Sequence, residues 1–236
     1  MSVAKVTRDF VAQLKETKLF TYDDVPCENK TSVAIELSRL YKKGMIKKIS
    51  KGKFYKPKQR AFGEVGPNSQ EKLSKFIDAT QSYETGFNSF RQLGLTMQLS
   101  KITTIALNKP YRKLQIDNLR IQLIPKRVDA KEDEIYLVQI LDALKDIKKI
   151  PATTPSKAFA HLKEIISKES KENQNKLTQF AKSYTPRTRV LLGAILKELG
   201  NLNCAYELKS TLNPLTKYKI DLDDSVVQQK EYWGIL

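Results

Sequence analysis

The chain has 236 residues, 40% of them hydrophobic and 29% charged, with a formal net charge of +16. Such an apolar share argues against wholesale disorder, and the length suits one large or two modest domains. The two cysteines, Cys27 and Cys204, lie far apart in sequence, which argues against a disulfide framework or a zinc cluster and suits small packing residues in a reducing compartment. The first ten residues lack the apolar stretch of a secretory signal, and no apolar run is long enough to cross a bilayer. A cytoplasmic protein with no membrane partner is therefore expected.

The positive charge is unevenly placed. Residues 1–60 carry fifteen Lys/Arg against six Asp/Glu, a net +9, whereas the other 176 residues carry 27 against 20. Between positions 42 and 60 there is no acid at all. An excess of this kind points to nucleic acid, an anionic surface or an acidic partner.

In chain order, Val6, Phe10, Val11 and Leu14 fall on one helical stripe and predict a helix over residues 3–15. Leu19-Phe20 reads as a short strand. Thr21 can cap a short helix over residues 22–25, closed by Pro26. Asn29 can cap the next helix, residues 30–43, whose inward stripe is Val33, Ala34, Leu37, Leu40 and Tyr41 and whose stop is Gly44. Met45-Ile46 then enters a strand, Ser50-Lys51-Gly52 turns, and residues 53–56 return as its partner before Pro57.

Three helices followed by a hairpin is the order of a winged helix-turn-helix. In that arrangement the third helix lies in the major groove of DNA. Its outward residues are Lys30, Thr31, Ser32, Ile35, Ser38 and Arg39. Thr31, Ser32 and Arg39 suit base edges, while Lys30, Lys42, Lys47, Lys48, Lys51 and Lys53 suit phosphates, with Gly52 at the wing tip.

Residues 58–67, with two glycines and a proline, read as a connector. A helix is expected from Ser69 with Leu73, Phe76 and Ile77 on one side, and another over residues 87–93, ended by Gly94. Strands are expected over residues 98–107, 113–116 and 119–125, the last two joined at Asp117-Asn118. Farther on, Ile135, Leu137, Val138, Leu141 and Leu144 mark one helix, and Phe159, Leu162, Ile165 and Ile166 a second. A polar stretch follows at 167–176. Thr185-Pro186 opens a third helix, lined by Leu191, Leu192, Ile195, Leu196 and Leu199 and closed by Gly200. The remaining tail, with Leu212, Tyr218, Ile220 and Trp233, reads as irregular or as short strands.

The fold class is therefore α+β: an N-terminal winged helix-turn-helix over 1–60, then 61–236. The latter divides into a small α/β unit with a three-stranded antiparallel sheet (61–130) and a mainly helical region (131–236). No phosphate-binding loop, dinucleotide glycine pattern or zinc helix motif occurs. The single histidine, His161, sits in a helical stretch without ligand spacing around it and reads as a surface or core-edge residue. Asp221-Leu222-Asp223 has the spacing of a magnesium pair but reads as a solvated turn, since no Gly-Ser loop precedes it. Neither a catalytic nor a metal site, and no cofactor, is expected, so the chain does not read as an enzyme.

The phrase LSRLYKKGMIKKISKGKFYKP resembles the N-terminal winged helix of the AbiE-type (AbiEi-like) abortive-infection antitoxins. FGEVGPN, GFNSFRQLGLTMQL, YTPRTRVLLGAILKELG and LNPLTKYKIDL, spread along the chain, resemble the same broad family. The resemblance implies the antitoxin of a type IV toxin–antitoxin system in phage defence. Such a protein represses its own operon at inverted repeats in double-stranded promoter DNA and counteracts a cognate nucleotidyltransferase-like toxin, generally without a stable complex. It implies operator contacts at Thr31, Ser32, Arg39, Lys51, Gly52 and Lys53, and antitoxicity around 87–95 and 186–199. Two other readings stay open. One is a protein-interaction module that binds and blocks the toxin directly, with DNA binding secondary. The other is an RNA-binding or RNA-modifying factor acting on the toxin's substrate, with the modifying version disfavoured by the lack of a catalytic constellation.

Overall fold

The computed structural model describes residues 2–50, 52–60, 63–68, 72, 82–116 and 119–236. Lys51, the helix expected from Ser69 and the Asp117-Asn118 turn lie outside the described residues. The architecture is mixed α+β, and the chain divides into two compact units: residues 1–79 with 114–120, and residues 80–113 with 121–236.

The first unit begins with α1 (Val3–Gln13), whose Ser2 cap accepts a hydrogen bond from the Lys5 amide. After β1 (Leu19–Thr21) comes α2 (Lys30–Lys42), capped by the Asn29 side chain, which accepts from the Ser32 amide at 3.0 Å. The end of α2 is a two-bond motif: Met45 N–H reaches Leu40 O at 3.1 Å and Gly44 N–H reaches Tyr41 O at 3.0 Å. It requires a left-handed residue at Gly44, where φ is +74°. The hairpin β2 (Lys47–Ser50) and β3 (Lys53–Tyr55) then joins β1 in a sheet of order β1-β3-β2, both pairs antiparallel. A register shift between Lys48 and Ser50 leaves Ile49 as the extra residue of a bulge.

The short helix expected over residues 22–25 does not form; a turn takes its place. The Asp24 carboxylate accepts from both the amide (2.7 Å) and the hydroxyl (3.1 Å) of Thr21, and Pro26 offers no N–H to extend a helix. The carbonyls of Tyr22, Asp23 and Val25 all accept from the Lys30 ammonium, at 3.3, 3.3 and 3.0 Å, and those of Tyr22 and Val25 also accept from the backbone amides of Val25 and Cys27. The unit's described part thus holds two full helices and a three-stranded sheet around Val11, Phe20, Val25, Val33, Leu37, Leu40, Ile46 and Phe54. Phe10, Phe20, Phe54 and Tyr22 form a chain of ring contacts with centroids 5.7 to 5.9 Å apart. Tyr41, assigned to the inward stripe, is exposed instead.

The expected connector is a second small hairpin, β4 (Lys58–Arg60) with β5 (Gly63–Val65), paired antiparallel. A four-stranded sheet, where three strands were expected, has the order β6-β7-β9-β8. Its strands are β6 (Tyr83–Thr85), β7 (Ile102–Leu107), β8 (Arg112–Ile116) and β9 (Leu119–Pro125). The short α3 (Phe87–Gln92) follows β6 and is stopped by Gly94 at φ +73°. Residues 98–101, expected to begin β7, have no regular structure.

The main core of the second unit is helical: α4 (Ile135–Lys145), α5 (Pro155–Ser167), α6 (Lys171–Ala181), α7 (Pro186–Glu198) and α8 (Leu202–Ser210). The polar stretch at 167–176, to which the sequence reading gave no element of its own, contains the first half of α6. Ser170 caps it, and its buried polar residues are satisfied internally: Gln174 donates to Ile166 O at 3.2 Å and Thr178 to Gln174 O at 2.9 Å. In the tail, expected to be irregular or short strands, residues 211–229 carry no regular element beyond the bridge from Tyr218 to Ile235, while α8 before them and the short α9 (Lys230–Trp233) after them are helical. Cys204 is buried, its thiol 2.9 Å from Asn175 Oδ1, and Cys27 packs at the edge of the first core. Among the described residues, no helix is long and apolar enough to cross a membrane.

Trp233, the only tryptophan, is 1% exposed and lies directly against Gly193 on α7, where an added Cβ would collide with its ring. Replacing a helical glycine by alanine ordinarily gains up to about 1 kcal/mol. Gly193→Ala is expected to do the opposite and lose about 1–3 kcal/mol through overpacking, read by urea denaturation followed at Trp233 fluorescence.

Candidate functional site

The outer face of α2 is set by what its inner face must bury. With Val33, Leu37 and Leu40 turned into the core, Thr31, Ile35, Ser38 and Lys42 fall at i, i+4, i+7 and i+11 and are all exposed, with Arg39 beside them. Ser32 is half-buried at the capped first turn.

One carboxylate organises the cations between the two helices. Glu36 is 5% exposed, and its two oxygens accept from Arg8 Nε of α1 at 2.9 Å and Arg39 Nη1 at 3.2 Å. The Arg8 hydrogen bond, reinforced by Arg39 and opposed by burial, holds the Glu36 carboxyl below the usual glutamate range. Both guanidinium side chains remain mostly exposed, so each keeps donors directed outward.

The expected site residues are not equivalent. The Lys30 ammonium is occupied by the three carbonyls of the 22–25 turn. Lys47 pairs with Glu64 of β5 at 3.1 Å; the contact raises the lysine pKa and lowers that of the glutamate. Lys53 is half-buried and engaged, and Lys51 lies outside the described residues. Lys42 and Lys48 are exposed and have no ion pair among the described residues. Gly52 is buried in the hairpin turn at φ +78°, its Cβ position 2.8 Å from the Tyr22 ring. Tyr22 therefore joins the hairpin tip, through Gly52, to the start of α2, through Lys30.

The sequence reading missed Arg8, whose spacing in α1 carries no sign of a partner 28 residues away. It also missed a polar node in the second unit. Asp142 of α4, 3% exposed, accepts from the hydroxyls of Thr85 (2.7 Å), Tyr184 (2.9 Å) and Tyr83 (3.2 Å). Burial, and then the Asp142 charge, push both tyrosines far above the ordinary phenol range, so they remain donors. A legible signal existed: an acid one turn after Val138 and beside Leu141 in an otherwise apolar stripe. His161, at the core edge as expected, stands with Nε2 2.9 Å from Leu93 O, an arrangement in which the ring donates. Asp221 is exposed and paired with Lys148. Of the segments singled out for antitoxicity, 186–199 is largely core: positions 190 to 196 of α7 are all buried.

The model of a family described as a family of unknown function (DUF6088) matches residues 5–174. No curated protein matches the chain. Among solved structures, the chain is similar to the crystal structure of the RV2827C protein from Mycobacterium tuberculosis. The identity is 14%, the TM-score 0.49, and the match covers 98% of this chain and 89% of that one.

The depressed pKa of Glu36 sets the sign of a pH effect. Its contribution to stability is full above the unfolded value near 4.5 and is lost as pH falls through the lower folded value. The wild-type chain is expected to lose denaturant resistance in that acidic window more steeply than Glu36→Gln. Parallel pH profiles of the two would contradict the assignment.

Proposed function

The chain belongs to the family of unknown function DUF6088, and we propose that it is the antitoxin and autorepressor of a type IV toxin–antitoxin pair. In this reading the first unit is a winged helix-turn-helix whose middle helix is shortened to the turn at residues 22–25. It binds inverted repeats in the double-stranded promoter DNA of its own operon. The rest of the chain counteracts a nucleotidyltransferase-like toxin without catalysis of its own, in the cytoplasm, and without a cofactor.

One observation carries the DNA-binding part. The acid-free, lysine-rich stretch places Lys42 and Lys48 outward and unpaired among the described residues, close in sequence to the outward face of α2. Thr31 and Arg39 on that face have the hydrogen-bonding groups to meet base edges, and Ser32 does so from the first turn. Arg39 is steadied by Glu36 while retaining free donors, which suits a planar contact to guanine. Lys42 and Lys48 supply the sequence-independent phosphate contacts. Lys30 acts differently from expectation: it braces the turn that orients α2. The toxin-directed part rests on the resemblance of the phrases distributed along the chain.

Salt titration of duplex binding tests the assignment. For the double variant Lys42→Ala/Lys48→Ala, the slope of log K against log[salt] is expected to fall by roughly 0.9 for each lost phosphate contact. Both side chains are exposed, so the fold should be kept. A slope equal to that of the wild type would remove these lysines from the interface.

A further inference from the structure

The second unit contains a cavity of about 620 Å³, within the size range of small-molecule sites. Its walls are chemically divided. Phe87, Phe90 and Ile124 line it with apolar surface, whereas Lys126, Arg127 and Lys145 line it with charge. The Phe87 and Phe90 rings are 6.2 Å apart by centroid; Phe90 is buried and Phe87 is 38% exposed. Phe87 supplies the apolar ring surface reachable from solvent, and the buried Phe90 ring packs against it.

The charged wall is held by the Asp142 node. Thr85, Tyr83 and Tyr184 donate to its carboxylate, and the Lys145 ammonium stands 3.7 Å away. With its acceptors this well satisfied, Asp142 acts as a fixed part of the wall. Lys145 also pairs with Asp146 at 3.1 Å, Lys149 pairs with Asp146 at 2.8 Å, and Lys126 pairs with Asp129. Arg127 is different. It has no carboxylate partner among the described residues, and its guanidinium lies 5.5 Å from the centroid of the Tyr184 ring. The guanidinium is thus positioned by an aromatic face, with its donors available. Arg127, without an ion pair among the described residues, therefore shares one cavity with the two phenylalanines, where the carboxylates of Asp142 and Asp146 are already engaged.

We propose that this cavity binds a small aromatic anion, its phosphate or carboxylate held by Arg127 and its ring against Phe87 and Phe90. Arginine presents a planar fork that matches either oxyanion in two parallel bonds. The apolar wall adds affinity only for a ligand with a hydrophobic body. The site is independent of the DNA-binding reading, since all its lining residues belong to the second unit.

Isothermal titration of the full chain tests this with four probes: phenyl phosphate, benzoate, inorganic phosphate and benzyl alcohol. Saturable binding at one site is expected for phenyl phosphate, for benzoate or for both, and which one binds identifies the oxyanion. Inorganic phosphate and benzyl alcohol, each carrying half of the chemistry, are expected to bind at least about tenfold more weakly. Arg127 is exposed, so Arg127→Gln should fold normally, and it is expected to weaken the aromatic anion about tenfold. Phe87→Ala is expected to lower affinity for the aromatic anion and leave that for inorganic phosphate unchanged. The proposal is overturned if neither aromatic anion saturates below about 10 mM, if Arg127→Gln binds the saturating anion as the wild type does, or if inorganic phosphate or benzyl alcohol binds as tightly as that anion.

Discussion

The first unit depends on how it disposes of its own positive charge. A core of some eight buried apolar side chains is small, and the helices that cover it carry guanidinium groups close to one another. Glu36 resolves this conflict: a single buried carboxylate ties Arg8 of α1 to Arg39 of α2 and lets both arginines point outward. Lys30 performs the complementary task on the backbone, closing the turn between β1 and α2 where a helix would otherwise have to satisfy three carbonyls. With one acid and one base committed to structure, charge remains for display at Lys42 and Lys48.

The second unit is organised around the same problem in reverse. Here a buried carboxylate, Asp142, sits among apolar residues of α4, and three hydroxyls from distant parts of the chain converge on it. Breaking one partner of such a node leaves a buried charge under-satisfied, which costs more than an ordinary hydrogen bond. The node therefore ties β6 and the residues preceding α7 to α4, and in doing so it fixes the wall of the neighbouring cavity. A fold that needs this node for its own coherence gains a shaped pocket beside it.

The legible parts of the fold are those governed by local rules. Asn29 and Thr185 start their helices and the glycines at 44 and 94 end theirs where cap chemistry predicts, and, Tyr41 apart, the apolar stripes of α2, α4, α5 and α7 face their cores. The failures share a cause. The helix expected after Thr21 gives way to a turn, held by Asp24 accepting from the Thr21 amide and hydroxyl and cut short by Pro26, which has no N–H to continue a helix. α6 had no apolar stripe to mark it, because Gln174 and Thr178, which it buries, are polar and find their partners only in the folded state. The β4–β5 hairpin has no apolar alternation to announce it. The candidate site was partly legible in the same way: helical spacing located the exposed face of α2. Which of its lysines are occupied depends on Tyr22, Glu64 and other residues far enough away that no local pattern names them.

The central claim is that the displayed face of the first unit reads DNA belonging to the protein's own operon. Fluorescence anisotropy at fixed salt, with labelled DNA from immediately upstream of the gene competed by random duplex, tests it most directly. The account predicts a preference for the upstream DNA of about a thousandfold or more. Equal competition by the random duplex would contradict it and leave only non-specific electrostatic attachment.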